Sequence, residues 1–266
     1  MPPVPSPLVA GIRFDEASAV QRTATGAFRA ELDGEWGFAG NVNGGYLLAV
    51  LVRAALAHTG AVFPHAISAS FLRPAAHGPV EVEVIPVRAG RTATHVVAVL
   101  SQNSEPVVHA TLVLGAEPIG PAENPAPPLP LPVEDACVPL TGRPEIQGFL
   151  ERVQISYAPG FGPHDPGNVP LVRGWVRLRS GEPADVVAGL LATDLLVPTV
   201  ARIGYRSWAP TVQMTVQLHA APTPGPFAVE AECGELRDGW FDEESRVFDA
   251  AGRLIARGRQ LARLPR

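Results

Sequence analysis

Three polar residues in the C-terminal half of this chain have the chemistry to hold and activate a water molecule. Asp194 closes a stripe with Val187, Leu190 and Leu191, at the helical positions i, i+3, i+4 and i+7, and the stripe is otherwise apolar. A carboxylate on such a face is costly to bury, so it must be hydrogen-bonded, paired or lining a cavity. A kink before Pro198 would instead turn it to solvent or leave it capping a short helix. Thr211 starts the strand that follows, and Gln260 sits in the last strand. Each can donate to and accept from a water. By simple alternation Thr211 shares a face with Gln213, Thr215 and Gln217, which solvent exposure would explain as well. Each is uninformative alone and matters only as a possible partner of Asp194, which could then serve as a general base.

Gly44-Gly45 is a further candidate. Backbone N–H groups at a helix start favour developing negative charge, as on the oxyanion of an acyl-transfer intermediate. From the sequence alone, a tight turn before a buried helix is the favoured reading of the pair. His65 either lines a cleft or is a hydrogen-bonded structural residue. His58 suits a helix C-terminus, and His164 lies in a loop rich in Gly and Pro. The chain has no Ser-His-Asp order, nucleophile elbow, zinc spacing or phosphate-binding glycine loop. No cofactor and no metal are expected.

The elements that must position these residues read as one unit written twice. Pro64 opens an alternating run to Arg73, and Gly78-Pro79 precedes the next strand; Pro210 opens a run to His219, and Gly225-Pro226 precedes the next. Gly90 and Gly239, like Thr111 and Gln260, lie 149 residues apart. Residues 1–20 read as an irregular arm and Ala27–Glu35 as a first strand. Asn43 is the expected N-cap of a helix from Tyr46 to His58, apolar nearly all round. Strands follow at Ile67–Arg73, Val80–Val84, Thr92–Leu100 and Val107–Leu114. The proline run from Pro125 to Pro132 cannot enter a sheet or helix interior and reads as an extended connector. The division expected is 1–117, a linker 118–147, and a second copy 148–266. In that copy a strand at Gly174–Arg179 precedes a helix from Ala184 to about Thr199. The last four strands are Pro210–His219, Phe227–Leu236, Trp240–Asp249 and Leu254–Leu264.

A chain of 266 residues with net charge −5 and no Lys gives no reason to expect a nucleic-acid partner. Cys137 and Cys233 match no metal spacing and read as reduced thiols in a cytoplasmic protein. The N-terminus lacks a signal-peptide pattern, and no apolar run approaches the roughly 20 residues of a membrane span.

Asn43-Gly44-Gly45-Tyr46, His65 through Phe71-Leu72-Arg73-Pro74, Arg88-Ala89-Gly90-Arg91 and the proline-rich connector together resemble the acyl-CoA thioesterase II group of the hot-dog superfamily. The resemblance covers about residues 25–264. It implies an α+β double hot dog: two fused copies, each a curved antiparallel sheet wrapped around a central helix. It also implies hydrolysis of a fatty or related acyl-CoA to free acid and CoA. In the best-known branch an Asp, a Thr and a Gln of the second copy activate the attacking water. They fall on Asp194, Thr211 and Gln260, with all three identities retained. The oxyanion and substrate contacts are expected at Gly44, Gly45, Tyr46 and His65. Tyr46 stands where that branch has Gln, and the segment between Asp194 and Thr211 is shorter, so substrate choice does not transfer. Acyl-CoA is the expected partner, and homo-oligomerisation is left open. The alternative is a non-catalytic module binding acyl-CoA or lipid. A hot-dog hydratase would need a His at the helix beside its Asp, and none accompanies Asp194. Aligning the copies pairs Asp194, Thr211 and Gln260 with roughly Leu48, His65 and Thr111, so one site per chain is expected.

Overall fold

The computed structural model describes residues 13–38, 40–142, 146–165, 169–205 and 209–265. Most of the expected N-terminal arm, part of the linker and part of the segment joining Asp194 to Thr211 lie outside them. The first copy comprises α1 (Phe14–Ala17), β1 (Gln21–Arg22), β2 (Phe28–Leu32), β3 (Gly37–Phe38), β4 (Asn41–Val42), α2 (Gly44–Thr59), β5 (Phe63–Phe71), β6 (Gly78–Ala89), β7 (Ala93–Gln102) and β8 (Glu105–Gly115). After the connector come β9 (Val138–Pro139), α3 (Gln147–Arg152), β10 (Val153–Tyr157), β11 (Leu171–Leu178), α4 (Val186–Ala192), β12 (Thr211–Leu218), β13 (Phe227–Arg237), β14 (Trp240–Phe248) and β15 (Leu254–Arg263).

All strands but the β3–β4 hairpin join one sheet in the order β1-β2-β6-β7-β8-β5-β12-β15-β14-β13-β11-β10-β9. Every pairing is antiparallel, as short turns between successive strands require. The two copies meet edge to edge at β5 and β12, where Ser68 faces Thr215 and their hydroxyls lie 2.9 Å apart. On either side Met214 faces Ala69 and Val216 faces Ile67, so a local two-fold axis passes through the Ser68–Thr215 pair. Joining the sheets here removes two exposed edges.

The long helix α2 packs on β5 to β8, α4 packs on β12, β13 and β15, and the helices pack on each other. This is a double hot dog. Helix α2 is apolar all round because the sheet and α4 enclose it; its residues from Tyr46 to Val52 are buried. It starts at Asn43, whose side chain accepts from the Tyr46 N–H, and stops at Gly60, whose φ of 73° suits glycine.

Two sequence expectations need correction. Helix α4 is seven residues long, not the sixteen of an Ala184–Thr199 helix. It ends at Ala192, Thr193 is its C-cap, and Asp194 lies in the tight turn beyond, its N–H donating to Leu191 O at 3.0 Å. Pro198 cannot donate to the carbonyl of Asp194 and disfavours helical backbone at Val197, so no helix could run on to Thr199.

The correspondence between copies also shifts. Thr211 faces Ala262, and after a one-residue irregularity Gln213 faces Leu261; likewise Pro64 faces Leu114, and Ala66 faces Val113. Glu243 faces Gln260 as Val96 faces Leu112. The first-copy counterparts of Thr211, Gln260 and Glu243 are therefore Pro64, Leu112 and Val96, in place of the expected His65 and Thr111. All are buried and none can hold a water.

Candidate active site

The start of α2 and the end of α4 meet at Asp194. Its Oδ2 accepts from the Gly45 N–H at 2.8 Å and from Asn43 Nδ2 at 3.0 Å. Asn43 Nδ2 also donates to the Asp194 backbone carbonyl at 2.9 Å, while its Oδ1 caps the Tyr46 N–H at 3.0 Å. One asparagine thus caps α2 and ties down the chain leaving α4. The approach depends on glycine. A Cβ at Gly45 would lie 3.1 Å from both Asp194 Cβ and Leu191 O, and one at Gly44 would lie 2.9 Å from Asp194 Oδ2.

Asp194 as a residue keeps intermediate exposure, but its carboxyl group is enclosed. Burial pushes its pKa up to about 7, opposed by the Gly45 N–H and reinforced by the nearby Glu243 carboxyl. The group can therefore exchange a proton near neutral pH, as a general base must.

The second half of the site is a hydrogen-bonded chain on the sheet. Thr211 Oγ1 donates to Gln260 Oε1 at 2.7 Å, and Gln260 Nε2 donates to Glu243 Oε1 at 3.0 Å. Glu243 Oε2 accepts the Thr199 N–H at 2.8 Å. Gln260 and Glu243 are buried polar residues, at 8% and 5% exposure, on faces otherwise lining the core. Gly258, two residues before Gln260 and so on its face, would bring a Cβ within 3.2 Å of Thr193 Cβ, next to Asp194. Thr211 joins this face through a bulge. Val212 is the extra residue, so Thr211 falls in phase with buried Ala262, while Gln213 faces exposed Leu261. The regular alternation that would place Thr211 with the outward Gln213, Thr215 and Gln217 is broken at that point.

The structure brings Gly44, Gly45 and Asp194 into one contact and Thr211 and Gln260 into another, and Glu243, which holds Gln260, acts electrostatically on Asp194. Gly45 differs from expectation in one respect: its N–H is committed to Asp194, so it is not a free donor for a thioester oxygen. Tyr46 and His65 are not brought to the site. Tyr46 is wholly buried; its hydroxyl donates to Ala17 O at 2.7 Å and accepts from the Asp33 N–H at 3.3 Å, on the side of α1. His65 sits at the other end of β5 from Thr211, its ring Nε2 lying 3.0 Å from Ala116 O. Phe71, at the near end of β5, is the residue against Gly44.

Glu243 and the double role of Asn43 escaped the sequence reading. The signal for Glu243 was the alternation Phe241, Glu243, Ser245, Val247, which puts it on the apolar phase of β14. Among the described residues no group of three His, Cys, Asp or Glu could hold a metal ion, and no helix is long and apolar enough to cross a membrane.

Comparison with known proteins agrees with this architecture. Residues 32–115 match the acyl-CoA thioesterase N-terminal domain family, and residues 126–264 match the acyl-CoA thioesterase C-terminal domain family. A putative thioesterase II from Thermobifida fusca is 37% identical and superposes with a TM-score of 0.89, over 97% of this chain and 99% of that one. A hot-dog protein of unknown function from Alicyclobacillus acidocaldarius, 23% identical, superposes with a TM-score of 0.86 over 95% and 98% and bears on the fold alone. A Mycobacterium tuberculosis protein described as uncharacterized is 30% identical over 90% of this chain and 91% of its own length.

Proposed function

We propose that this chain, which belongs to the acyl-CoA thioesterase family, hydrolyses an acyl-CoA thioester to the free acid and CoA with Asp194 as general base. The observation that carries this reading is an enclosed carboxyl group fixed by a helix start and lying within the field of Glu243, which holds the Thr211–Gln260 pair. Oδ2 of Asp194 is held by α2, and Oδ1 is the oxygen that would face the water. Thr211 and Gln260 would hold that water on its other side. The water oxygen would attack the thioester carbonyl as its proton passes to Asp194. Collapse of the tetrahedral species would break the C–S bond, and Asp194 would return the proton to the departing thiolate. The sequence needs no covalent enzyme intermediate.

Thioester hydrolysis is the coarse reading that family membership supports; the acyl group is not identified by it. The test is free thiol release from a panel of acyl-CoAs of graded chain length, followed with a thiol reagent. The proposal expects saturable release from at least one member. Tight binding of acyl-CoA with no release from any of them would favour a non-catalytic acyl-binding module and contradict hydrolysis.

A further inference from the structure

Glu243 is a buried acid that the water-activating set does not use, and its hydrogen bonds have a direction. It stands on the core face of β14 between Phe241 and Ser245, and among the described residues no cation pairs with it. Such a group is costly to keep. The fold does not require it, since the same position in the first copy is Val96. Burial pushes the Glu243 carboxyl pKa up, but the Thr199 N–H and the Gln260 amide nitrogen both donate to it, so it acts as an acceptor on both oxygens. Gln260 must therefore turn its amide nitrogen to Glu243 and its amide oxygen to Thr211, whose hydroxyl donates to it. With that proton committed, Thr211 Oγ1 offers only lone pairs.

We propose that Glu243 is a positioning residue for the hydrolytic water: it orients Gln260, and through Gln260 it makes Thr211 an acceptor beside Asp194. The proposal rests on the hydrolytic reading. A water between Asp194 and Thr211 then donates one hydrogen to each. Its lone pairs stay free, one of them for attack on the thioester carbonyl, and the hydrogen shared with Asp194 is the one transferred. Without Glu243 the Gln260 amide could turn over, and Thr211 could donate to the water and misdirect it.

The groups that feel Glu243 are Asp194 from the turn after α4, Tyr157 from β10 and Cys233 from β13. Burial pushes the Glu243 carboxyl pKa up as well; in its ionised form its charge opposes ionisation of Asp194, so removing it lowers the pH at which Asp194 becomes a base.

The experiment measures thiol release and its pH profile for the wild type, Glu243→Gln, Glu243→Asp, Gln260→Leu and the Glu243→Gln/Gln260→Leu double variant. Glu243→Gln is expected to lower kcat about 10- to 100-fold with KM unchanged, and to move the acid limb to lower pH. Glu243→Asp keeps the charge but withdraws the carboxylate by one methylene; kcat falls and the acid limb stays. On the Gln260→Leu background, Glu243→Gln costs nothing further in the plateau kcat, because its positioning effect runs through Gln260, while its direct effect on the acid limb remains. Wild-type kcat in Glu243→Gln, or losses that multiply in the double variant, would overturn the proposal. If Glu243→Gln does not fold, Glu243→Asp decides alone: a lowered kcat supports positioning, and wild-type kcat overturns it. Absence of release by the wild type itself is a separate result, which sinks the hydrolytic reading and this proposal with it.

Discussion

At the carboxyl of Asp194 two opposing effects meet, and burial outweighs the hydrogen bonds that favour its charge. Burial disfavours its charge, while the Gly45 N–H and the start of a sixteen-residue helix favour it. The ionised form is the base, so kcat should rise with pH through about 7 and level off above it. A profile flat from pH 5 to 9 would contradict a catalytic Asp194. The same shift acts oppositely on stability. A carboxyl whose pKa is raised by folding stabilises fully below its unfolded value, and that contribution is lost as pH rises through the folded value. Thr211→Val keeps shape but removes the hydroxyl. It should lower kcat about tenfold or more while thermal unfolding changes little; an unchanged kcat would remove Thr211 from the mechanism. At this scale the sequence was legible where a polar residue broke an apolar pattern, as Asp194 did. It was illegible at Glu243, because Asp242-Glu243-Glu244 reads as a charged surface run unless the strand phase is known.

At the scale of elements, the site depends on two departures from regularity. Helix α4 stops early, which puts Asp194 in a turn rather than on a stripe, and β12 carries a bulge, which turns Thr211 inward. Neither follows from periodicity. The helix period fits Asp194 for a reason that does not hold in the structure, and strict alternation puts Thr211 on the wrong face. Pro198 was the one local sign of the first; nothing in Pro210-Thr211-Val212 marks the second. What was legible was the kind and order of the elements: a capped apolar helix, then antiparallel strands, twice. The contact between helices gives a direct test. Gly45→Ala must push α2 and α4 apart by a few tenths of an ångström, since its Cβ would stand 3.1 Å from Asp194 Cβ and Leu191 O. It should cost about 1 kcal/mol or more of stability. It should also move the acid limb of the kcat profile upward, because the stretched Gly45 N–H bond supports the ionised form less. Wild-type stability and profile in Gly45→Ala would show that this contact does not set the acid.

At the scale of the whole molecule, the site belongs to neither copy. The first supplies Asn43 and the start of α2; the second supplies Asp194, Thr211, Gln260 and Glu243. The related place on the other side of the two-fold is built differently. There Arg53 of α2 pairs with Asp185, the N-cap of α4, at 3.0 Å, and its Nε donates to Ser18 Oγ at 2.6 Å. The sheet counterparts on that side are Pro64, Leu112 and Val96. Because the sheet runs unbroken through β5 and β12, the copies should unfold together. Scanning calorimetry is expected to give one cooperative transition, and two resolved transitions would contradict that. The central claim, that the carboxylate at the meeting of the two copies takes the proton from water, is tested most directly by Asp194→Asn. An Asn can keep an oxygen in place of Oδ2 for Gly45 and Asn43, so the variant should fold, and above pH 7 it should be no less stable than the wild type. Measured on the best acyl-CoA of the panel, its kcat should fall about 100-fold or more. A folded Asp194→Asn protein that releases thiol at the wild-type rate would contradict the account.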